Sequence, residues 1–275
     1  MTIQDKFDLS GRAAVVTGGA GLLGKEFCRT LAEAGASVVV ADLDGNAAGM
    51  VAGSLVDSGY RAVSFPLDVT RIESARELAT ATVSEFGSLD ILVNSAALDP
   101  KFDPDAAAKG IAPGAFEDYP LEAWNAALGV NLTGMFLVTQ ACVHPMIERG
   151  KKGSIINICS TYGLNGPDQR IYIRDGVRVA YKPVYYTTTK AGVLGFTKYL
   201  AAYYAETGIR VNALTPGGVF NDHEEYFVRN YAAKTIMGRM AEKDEMNGAL
   251  LFLASDASSY MTGNNLVVDG GWTAW

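Results

Sequence analysis

Short apolar runs alternate with longer segments of helical periodicity along most of the chain. The runs are rich in Val, Ile and Ala and contain few polar positions, which is typical of strands buried on both faces of a parallel sheet. The candidate strands are Ala13–Thr17, Ser37–Ala41, Arg61–Leu67, Leu89–Val93, Ser154–Cys159, Arg210–Leu214 and Asn265–Val268. The candidate helices are Lys25–Ala34, Ile72–Phe86, Leu121–Arg149, Tyr186–Thr207 and Glu245–Ala254.

This alternation predicts an α/β fold, a single doubly wound domain over residues 1–275. Its mostly parallel seven-stranded sheet would carry helices on both faces. Three irregular stretches, 98–120, 162–184 and 217–237, interrupt the alternation, and each follows a candidate strand. Since ligands bind such folds beyond the carboxyl ends of the strands, all three stretches can reach a ligand.

Composition and charge exclude several classes of function. The formal charge is -7, from 23 Lys+Arg and 30 Asp+Glu, and no basic run occurs. This disfavours nucleic acid and anionic membrane surfaces as partners. No run of about 18 uninterrupted apolar residues predicts a membrane span, and the polar N-terminal segment lacks a secretory signal.

The cysteines and histidines point to a reducing compartment without a metal site. Cys28, Cys142 and Cys159 lie in apolar stretches and show no CxxC spacing, which is typical of reduced core thiols. The two histidines, His144 and His223, are far apart in sequence, so we expect no metal. We therefore expect a cytoplasmic protein with a small-molecule substrate.

A glycine-rich turn follows the first candidate strand directly. Its glycines, Gly18, Gly21 and Gly24, are spaced GxxGxxG, and a helical pattern begins at once. Glycines at such a turn allow close backbone approach to a pyrophosphate, and the helix N-terminus offers free N–H groups. The strand–glycine–helix order predicts dinucleotide binding of the Rossmann type.

Acidic residues follow the second and third candidate strands. Asp42 lies roughly where a ribose-binding carboxylate is expected, about 20 residues beyond the first glycine. A carboxylate there accepts hydrogen bonds from the ribose 2′-hydroxyl and repels a 2′-phosphate. No Arg or Lys adjoins it, so the sequence predicts NAD rather than NADP. Asp68 can bind the adenine amino group or can cap the following helix.

Tyr186 and Lys190 lie four residues apart in a helical pattern, so both side chains share one face. An ammonium beside a phenol favours the phenolate and lowers the phenol pKa from about 10. A tyrosine tuned in this way can exchange a proton with an alcohol. The pair alone is common on helices with no chemical role.

In combination, these motifs resemble the short-chain dehydrogenase/reductase family over nearly the whole chain. The segments that carry the resemblance are Thr17–Gly24, Asp42, Asp68-Val69, Asn94–Ala97, Val130–Leu132, Ile156–Ser160, Tyr186–Lys190, Asn212–Gly217, Phe252–Asp256 and Val268–Gly271. At finer grain the chain resembles bacterial sugar, flagellin-modification and gluconate 5-dehydrogenase-like members.

The resemblance implies a role for each catalytic position. Tyr186 would exchange the hydroxyl proton, while Lys190 would lower its pKa and hold the nicotinamide ribose. Ser160 would bind the substrate oxygen, and Asn131 would position a water that links Lys190 to solvent. Asn94 would stabilise the central strand beside the cofactor.

The same resemblance, with the glycine turn, implies a set of cofactor contacts. Pro216 and Gly217 would line the nicotinamide, and the Val219 backbone would meet its carboxamide. The full set is Gly18, Gly21, Leu22, Leu23, Asp42, Leu43, Asp68, Val69, Asn94, Ala96, Tyr186, Lys190, Pro216, Gly217 and Val219.

The chain departs from the family pattern at several points. Leu22 stands where most members have Gly, and Asn221 stands where Thr is usual. Tyr186 lies about twice as far from Ser160 as in most members, which implies an insertion within 162–184. The stretch 98–120 is also long, and 217–237 falls where family members keep a substrate lid.

The insertion within 162–184 is more basic than the chain as a whole. Arginine forks suit carboxylate or phosphate groups, so we expect an anionic substrate here, or else a solvated loop or a subunit interface. The candidate substrate residues are Tyr162, Gln169, Arg170, Arg174 and Arg178.

Together these observations predict an NAD-dependent oxidoreductase that acts on a secondary alcohol or ketone of a sugar, sugar acid or sugar phosphate. The alternatives are a sugar epimerase or dehydratase that recycles bound NAD, a 3-oxoacyl-type ketoreductase, and a nucleotide-sensing module without catalysis. The helices within 121–149 and 193–205 have more apolar surface than one sheet face needs, and the resemblance implies that such helices pair across two-fold axes, so we expect a homotetramer, with a dimer second. Trp272 and Trp275 are expected to be buried in a neighbouring subunit.

Overall fold

A computed structural model describes residues 2–99, 113–150 and 153–275. Parallel strands form a seven-stranded sheet in the order β3-β2-β1-β4-β5-β8-β9. These strands are β1 Ala13–Thr17, β2 Ser37–Asp42, β3 Ala62–Pro66, β4 Ile91–Asn94, β5 Gly153–Ile158, β8 Ile209–Pro216 and β9 Asn265–Val268. The chain order reverses direction between β1 and β4, so the predicted doubly wound parallel fold is confirmed.

Helices cover both faces of this sheet. They are α1 Leu22–Glu33, α2 Gly45–Asp57, α3 Ile72–Phe86, α4 Leu121–Leu128, α5 Met135–Glu148, α6 Val184–Tyr203, α7 Glu225–Ala232 and α8 Asn247–Ala254. A π-helical segment, Gly129–Gly134, joins α4 to α5, so the predicted helix over 121–149 is continuous but changes its winding at its centre.

Among the described residues, the sequence pattern missed two helices: α7, which lies in the irregular stretch 217–237, and α2. The first turn of α2 is capped by the Asp44 carboxylate, which accepts hydrogen bonds from the N–H groups of Asn46 and Ala47. The helix contains Gly45, Gly49 and Gly53, which weaken a helical prediction because glycine lowers helix propensity. The Asp44 cap was the signal that could have revealed it.

Two apolar layers bury the sheet from either side. Phe27 and Leu31 of α1 join Leu250 and Leu253 of α8 on one face, and all four are fully buried. On the other face, the buried side chains that pack together come from α3, α5 and α6. Because both faces are covered, the strands are almost uninterrupted apolar runs, as the sequence indicated.

A chain of polar side chains crosses the second apolar layer. Asn94 on β4 donates from Nδ2 to Asn157 Oδ1 on β5 and to Thr139 Oγ1 on α5, at 2.9 Å in both cases. Asn157 Nδ2 then donates to Thr197 Oγ1 on α6 at 3.0 Å. This chain of side-chain hydrogen bonds, which we call the ladder, fixes the two central strands against α5 and α6.

The segment Leu121–Glu148 is long and apolar enough, by length and composition, to cross a membrane, with a mean hydropathy of 1.5. Half of its apolar window is nevertheless buried inside the fold. Val138 and Met146, for example, pack against the sheet in the second apolar layer. This burial accounts for the hydrophobicity of the segment.

The irregular stretches acquire structure of their own. Within 162–184, Ile173–Arg174 (β6) and Val177–Arg178 (β7) pair as a short antiparallel hairpin. The stretch 217–237 contains α7, and its Val219 bridges to Ala241. Residues 100–112 of the predicted insertion 98–120 lie outside the described residues.

The C-terminal tryptophans do not behave alike. Trp272 is buried within its own subunit, where its ring stacks on Tyr231 with a centroid distance of 4.3 Å. Trp275 is 75% exposed and donates from Nε1 to the Lys234 carbonyl. The expectation that a neighbouring subunit buries both is therefore wrong for Trp272, because an aromatic cluster of the same chain already covers it.

Candidate active site

A cavity of about 600 Å³ runs along the carboxyl ends of the strands. Its first half is lined by the glycine turn and the residues that follow β2 and β3. Its second half is lined by Ser160, Tyr186 and a group of aromatic side chains. The cavity therefore joins the groove at the glycine turn, which we call the nucleotide groove, to an end lined by aromatic side chains.

The glycine turn is shaped by close backbone contacts. Gly18 has a φ of +64°, and a Cβ atom added there would lie 2.9 Å from Ala96 Cα. A Cβ atom on Gly24 would lie 2.0 Å from the Gly18 carbonyl oxygen. Side chains at these positions would fill the groove or push the turn apart, so the cradle fits a dinucleotide backbone.

The turn is tied to the neighbouring strand as well. Thr17 Oγ1 accepts hydrogen bonds from the N–H groups of Ser95 and Ala96, both at 3.1 Å. Helix α1 then begins after Gly21 without a side-chain cap, and Leu22 and Leu23 of its first turn line the cavity. Its first N–H groups are thus suited to a phosphate.

Asp42 and Asp68 flank this half of the cavity. The Asp42 carboxylate accepts hydrogen bonds from the N–H groups of Ala20, at 3.0 Å, and Asp44, at 3.2 Å. It is therefore anchored between the glycine turn and the end of β2. The Asp68 carboxylate accepts from the Thr70 N–H and hydroxyl groups, which lowers its pKa. Leu43 and Val69 line the cavity beside them.

Ser160, Tyr186 and Lys190 converge at the centre of the cavity, although they come from two different elements. Ser160 follows β5, and the other two lie on adjacent turns of α6. Lys190 is 4% exposed, and its Nζ donates to the Ile158 carbonyl at 2.8 Å and lies 5.8 Å from the Tyr186 ring centroid. The structure therefore brings together the three residues to which the resemblance assigns catalytic roles.

Burial dominates the electrostatics of this group. It raises the pKa of Tyr186 well above its usual value, the Asp99 carboxylate raises it further, and a hydrogen bond with Ser160 opposes both. Burial also lowers the pKa of Lys190. The tyrosine–lysine spacing alone predicts a lowered pKa for the Tyr186 phenol. This prediction fails in the structure, because desolvation raises the phenol pKa by more than one ammonium group lowers it.

Asn131 and Asn94 brace the site from behind. Asn131 lies in the π-helical segment and is 1% exposed. Its Oδ1 accepts from the Leu98 N–H at 2.6 Å, and its Nδ2 donates to the Leu98 carbonyl and to Thr189 Oγ1. The side-chain amide therefore fixes the segment that follows β4, while the predicted water relay remains a prediction. Asn94 is buried in the ladder.

The end of β8 closes the cavity from the other side. Pro216 and Gly217 line it, and the Gly217 N–H donates to the Val268 carbonyl at 2.8 Å. Val219 also lines it. Asn221, at the position that departs from the family pattern, lies in the lining, and its N–H donates to His223 Nδ1 at 3.1 Å.

Aromatic side chains form most of the far end, which we call the aromatic wall. Tyr162 is 6% exposed and lines the cavity, and its hydroxyl has no hydrogen-bond partner among the described residues. The sequence placed Tyr162 and Tyr172 in the insertion within 162–184 and the other three in the stretch 217–237, but it did not predict that these segments meet. The aromatic wall consists of Tyr162, Tyr172, His223, Phe227 and Tyr231.

The other four candidate substrate residues do not line the cavity within the described ranges. Arg170 pairs with the Asp168 carboxylate and Arg174 with Glu224. Arg178 donates to the Gln169 carbonyl at 2.6 Å and lies over the Tyr181 ring. Within the described residues, intramolecular partners use the polar groups of these arginines and of Gln169, and a contact between them and the substrate stays a prediction.

Fold and site together define a dinucleotide-binding α/β oxidoreductase. A family model described as "Enoyl-(Acyl carrier protein) reductase" matches residues 19–273. The chain belongs to the short-chain dehydrogenase/reductase family, whose members use a nicotinamide cofactor. It is an oxidoreductase that acts on hydroxyl or keto substrates.

Several characterised relatives align over almost the whole chain. The 3-alpha-(or 20-beta)-hydroxysteroid dehydrogenase of Mycobacterium tuberculosis is 38% identical over 266 residues, 97% of this chain and 91% of that protein. The D-threitol dehydrogenase of Mycolicibacterium smegmatis is 34% identical over 278 residues, 99% of this chain and 97% of that protein. The relatives' substrates thus range from a steroid to a small polyol.

A solved structure shows the same fold with ligands bound. The gluconate 5-dehydrogenase from Burkholderia cenocepacia J2315, in complex with NADP and tartrate, superimposes with a TM-score of 0.86. It is 32% identical, and the alignment covers 100% of both chains. The finer resemblance to gluconate 5-dehydrogenase-like proteins is therefore confirmed as a similarity.

We expect Gly24→Ala to abolish dinucleotide binding, because the new Cβ atom would overlap the Gly18 carbonyl. Gly53→Ala is the matched control, since nothing lies within 4 Å of a Cβ atom there, and alanine suits an exposed helical position. Isothermal titration with NAD and NADP measures both variants. Wild-type affinity in Gly24→Ala would contradict the role of the close contact.

Proposed function

We propose that the chain is an NAD-dependent dehydrogenase for a secondary alcohol of a sugar or a related polyol. The observation that supports this best is the convergence of Ser160, Tyr186 and Lys190 where the nucleotide groove meets the aromatic wall. In that position one phenol can reach a substrate hydroxyl beside the nicotinamide. When bound, the cofactor supplies the acceptor for the two electrons that leave the carbinol carbon as hydride.

The chain's own residues would then handle the proton and hold the substrate. Tyr186 takes the hydroxyl proton onto its phenolate oxygen, and Ser160 donates a hydrogen bond to the substrate oxygen as its charge changes. Lys190 stabilises the phenolate electrostatically. The buried, unpartnered hydroxyl of Tyr162 is suited to bind a further polar group of the substrate.

The surroundings of Asp42 support NAD as the cofactor. Its anchored carboxylate would accept a hydrogen bond from a ribose 2′-hydroxyl at the end of β2 and would repel a 2′-phosphate there. The basic side chains Lys182 and Lys190 are the Lys or Arg residues that line the cavity in the described ranges, and both lie at the opposite half. No cation is therefore placed to bind a 2′-phosphate within that lining.

The aromatic wall and the relatives guide the substrate proposal. Aromatic faces pack well against the C–H faces of a sugar ring, and a few polar groups such as Tyr162 and His223 would orient it. Relatives include a D-threitol dehydrogenase and a gluconate 5-dehydrogenase. Because the arginines already have partners, a doubly charged sugar phosphate is less favoured as substrate than a neutral polyol or a singly charged sugar acid.

An epimerase or dehydratase that recycles bound NAD stays as the second candidate, because Gly18, Gly21 and Gly24 give the turn a GxxGxxG spacing. A 3-oxoacyl-type ketoreductase is the third. Net NADH release from a polyol supports the dehydrogenase, whereas retained cofactor with product formation and no net NADH supports recycling. Reduction of a 3-oxoacyl thioester alone would support the third.

Tyr186→Phe removes the hydroxyl that exchanges the proton, so we expect at least a roughly 100-fold loss of turnover. NADH appearance is measured at saturating NAD across a panel of sugars, polyols and sugar acids. Binding of NAD to the variant should be retained, which separates loss of chemistry from loss of fold. Tyr185→Phe is the matched control on the neighbouring position, and unchanged turnover in Tyr186→Phe would exclude the mechanism.

Asp42→Asn should weaken NAD binding by about tenfold, because a charge-assisted hydrogen bond to the ribose is lost. Removal of the charge that repels a 2′-phosphate should at the same time improve NADP binding. The ratio of NAD affinity to NADP affinity should therefore decrease or fall below one. Titration of both nucleotides tests this. Asp44→Asn, at the nearby cap of α2, serves as control, and an unaltered preference in Asp42→Asn would refute the assignment of NAD.

We propose a homotetramer in the cytoplasm, with a dimer as the alternative. Exposed aromatic side chains support a further contact surface on α5 and α6, since Phe136, Tyr199 and Tyr203 are 46%, 63% and 65% exposed. The free, buried cysteines suit a reducing compartment. Light scattering of the purified protein should give four times the 29.2 kDa chain mass, and a monomer at micromolar concentration would contradict the proposal.

A further inference from the structure

A second ammonium group lies closer to Tyr186 than Lys190 does. The Nζ of Lys182 lies 3.9 Å from the centroid of the Tyr186 ring, against 5.8 Å for Lys190 Nζ. Lys182 comes from the insertion within 162–184 and precedes α6, so it is not part of the tyrosine–lysine spacing. Its side chain is 12% exposed and lines the cavity.

The position of Lys182 is fixed by its neighbours. Its backbone N–H donates to Gln169 Oε1 at 2.9 Å, and Gln169 Nε2 donates back to the Lys182 carbonyl at 3.0 Å. Its Nζ forms an ion pair with the Asp99 carboxylate after β4. The backbone and the head group are thus held independently, which reduces the freedom of the side chain to swing away.

The phenol of Tyr186 faces several other titratable groups. Lys190 lies on its own helix, Cys159 follows β5, and Tyr162 and Tyr172 come from the insertion. The Asp99 carboxylate comes from the segment after β4, and the Lys182 ammonium comes from the insertion. Of these neighbours, Lys182 and Lys190 carry the positive charge that can favour a phenolate, and Asp99 carries the opposing charge.

We propose that Lys182 is a positioning residue that stabilises the phenolate of Tyr186 and that Asp99 sets the strength of this effect. The inference rests on the proposed function, because a stabilised phenolate serves a proton transfer. A cation within about 4–6 Å lowers the pKa of an acidic group by about 1–3 units, so a second ammonium opposes the desolvation that raises the pKa of Tyr186. Gln169 acts through Lys182 by holding its backbone.

The test titrates residue 186 directly. A ring-fluorinated tyrosine is incorporated at position 186 of the full chain, and fluorine NMR follows its ionisation with pH in the presence and absence of NAD. The backgrounds are wild type, Lys182→Met, Lys182→Arg and Asp99→Asn. Lys198→Met, at an exposed position on the same helix, is the control for removal of a lysine charge.

We expect Lys182→Met to raise the pKa of residue 186 by about one unit. Asp99→Asn should lower the pKa of residue 186. Lys182→Arg and Lys198→Met should leave that pKa within about a few tenths of a unit of the wild-type value. No shift in Lys182→Met overturns the proposal. An equal shift in Lys182→Arg also overturns it, because packing rather than charge would then be responsible.

This readout is independent of the proposed function, since it needs no substrate. A shifted pKa in a chain that turns over no alcohol would contradict the proposed function and leave the role of Lys182 standing. Turnover that depends on Tyr186, together with an unchanged pKa of residue 186 in Lys182→Met, would support the proposed function and contradict the role of Lys182. If Lys182→Met does not fold, Lys182→Gln takes its place, and an unchanged pKa of residue 186 in that variant overturns the proposal.

Discussion

Two asparagines hold the centre of the sheet to the helices that carry the site. Asn94 and Asn157 are 2% and 0% exposed, and their amides join β4 and β5 to α5 and α6 inside an otherwise apolar layer. Buried amides tolerate few arrangements, because each lost hydrogen bond leaves a polar group unpaired. The ladder therefore fixes the register in which Ser160, at the end of β5, meets Tyr186 and Lys190 on α6.

The position of this meeting point creates an electrostatic conflict. The Tyr186 phenol lies at the wall of the cavity, where desolvation raises its pKa, and burial lowers the pKa of Lys190. A hydrogen bond with Ser160 opposes the rise in the phenol pKa, and the Lys182 ammonium lies near the ring, whereas the Asp99 carboxylate raises that pKa further. Reactivity at Tyr186 is thus a property of the whole cavity rather than of one side chain.

The sequence predicted the parts of the molecule whose patterns are local. The parallel strands, the glycine turn and the tyrosine–lysine pair depend on neighbouring residues, and their boundaries differ from prediction by a few positions at most. Contacts within the insertion could not be predicted in the same way. Arg174 pairs with Glu224, which lies 50 positions away, and Phe227 packs against Tyr172. Charge and composition suggested an anion site at these arginines, but they could not reveal such partners from distant segments.

The stacking of Trp272 on Tyr231 has a consequence for how the protein is made. The nucleotide groove depends on β1 to β4, which are complete by Asn94, whereas the aromatic wall is backed by a ring from residue 272. The helix that follows the glycine turn, α1, nevertheless buries Phe27 and Leu31 against Leu250 and Leu253 of α8, and a domain generally folds as a unit. A nascent chain on the ribosome would thus complete both ends of its cavity together, only after residue 272 has been synthesised.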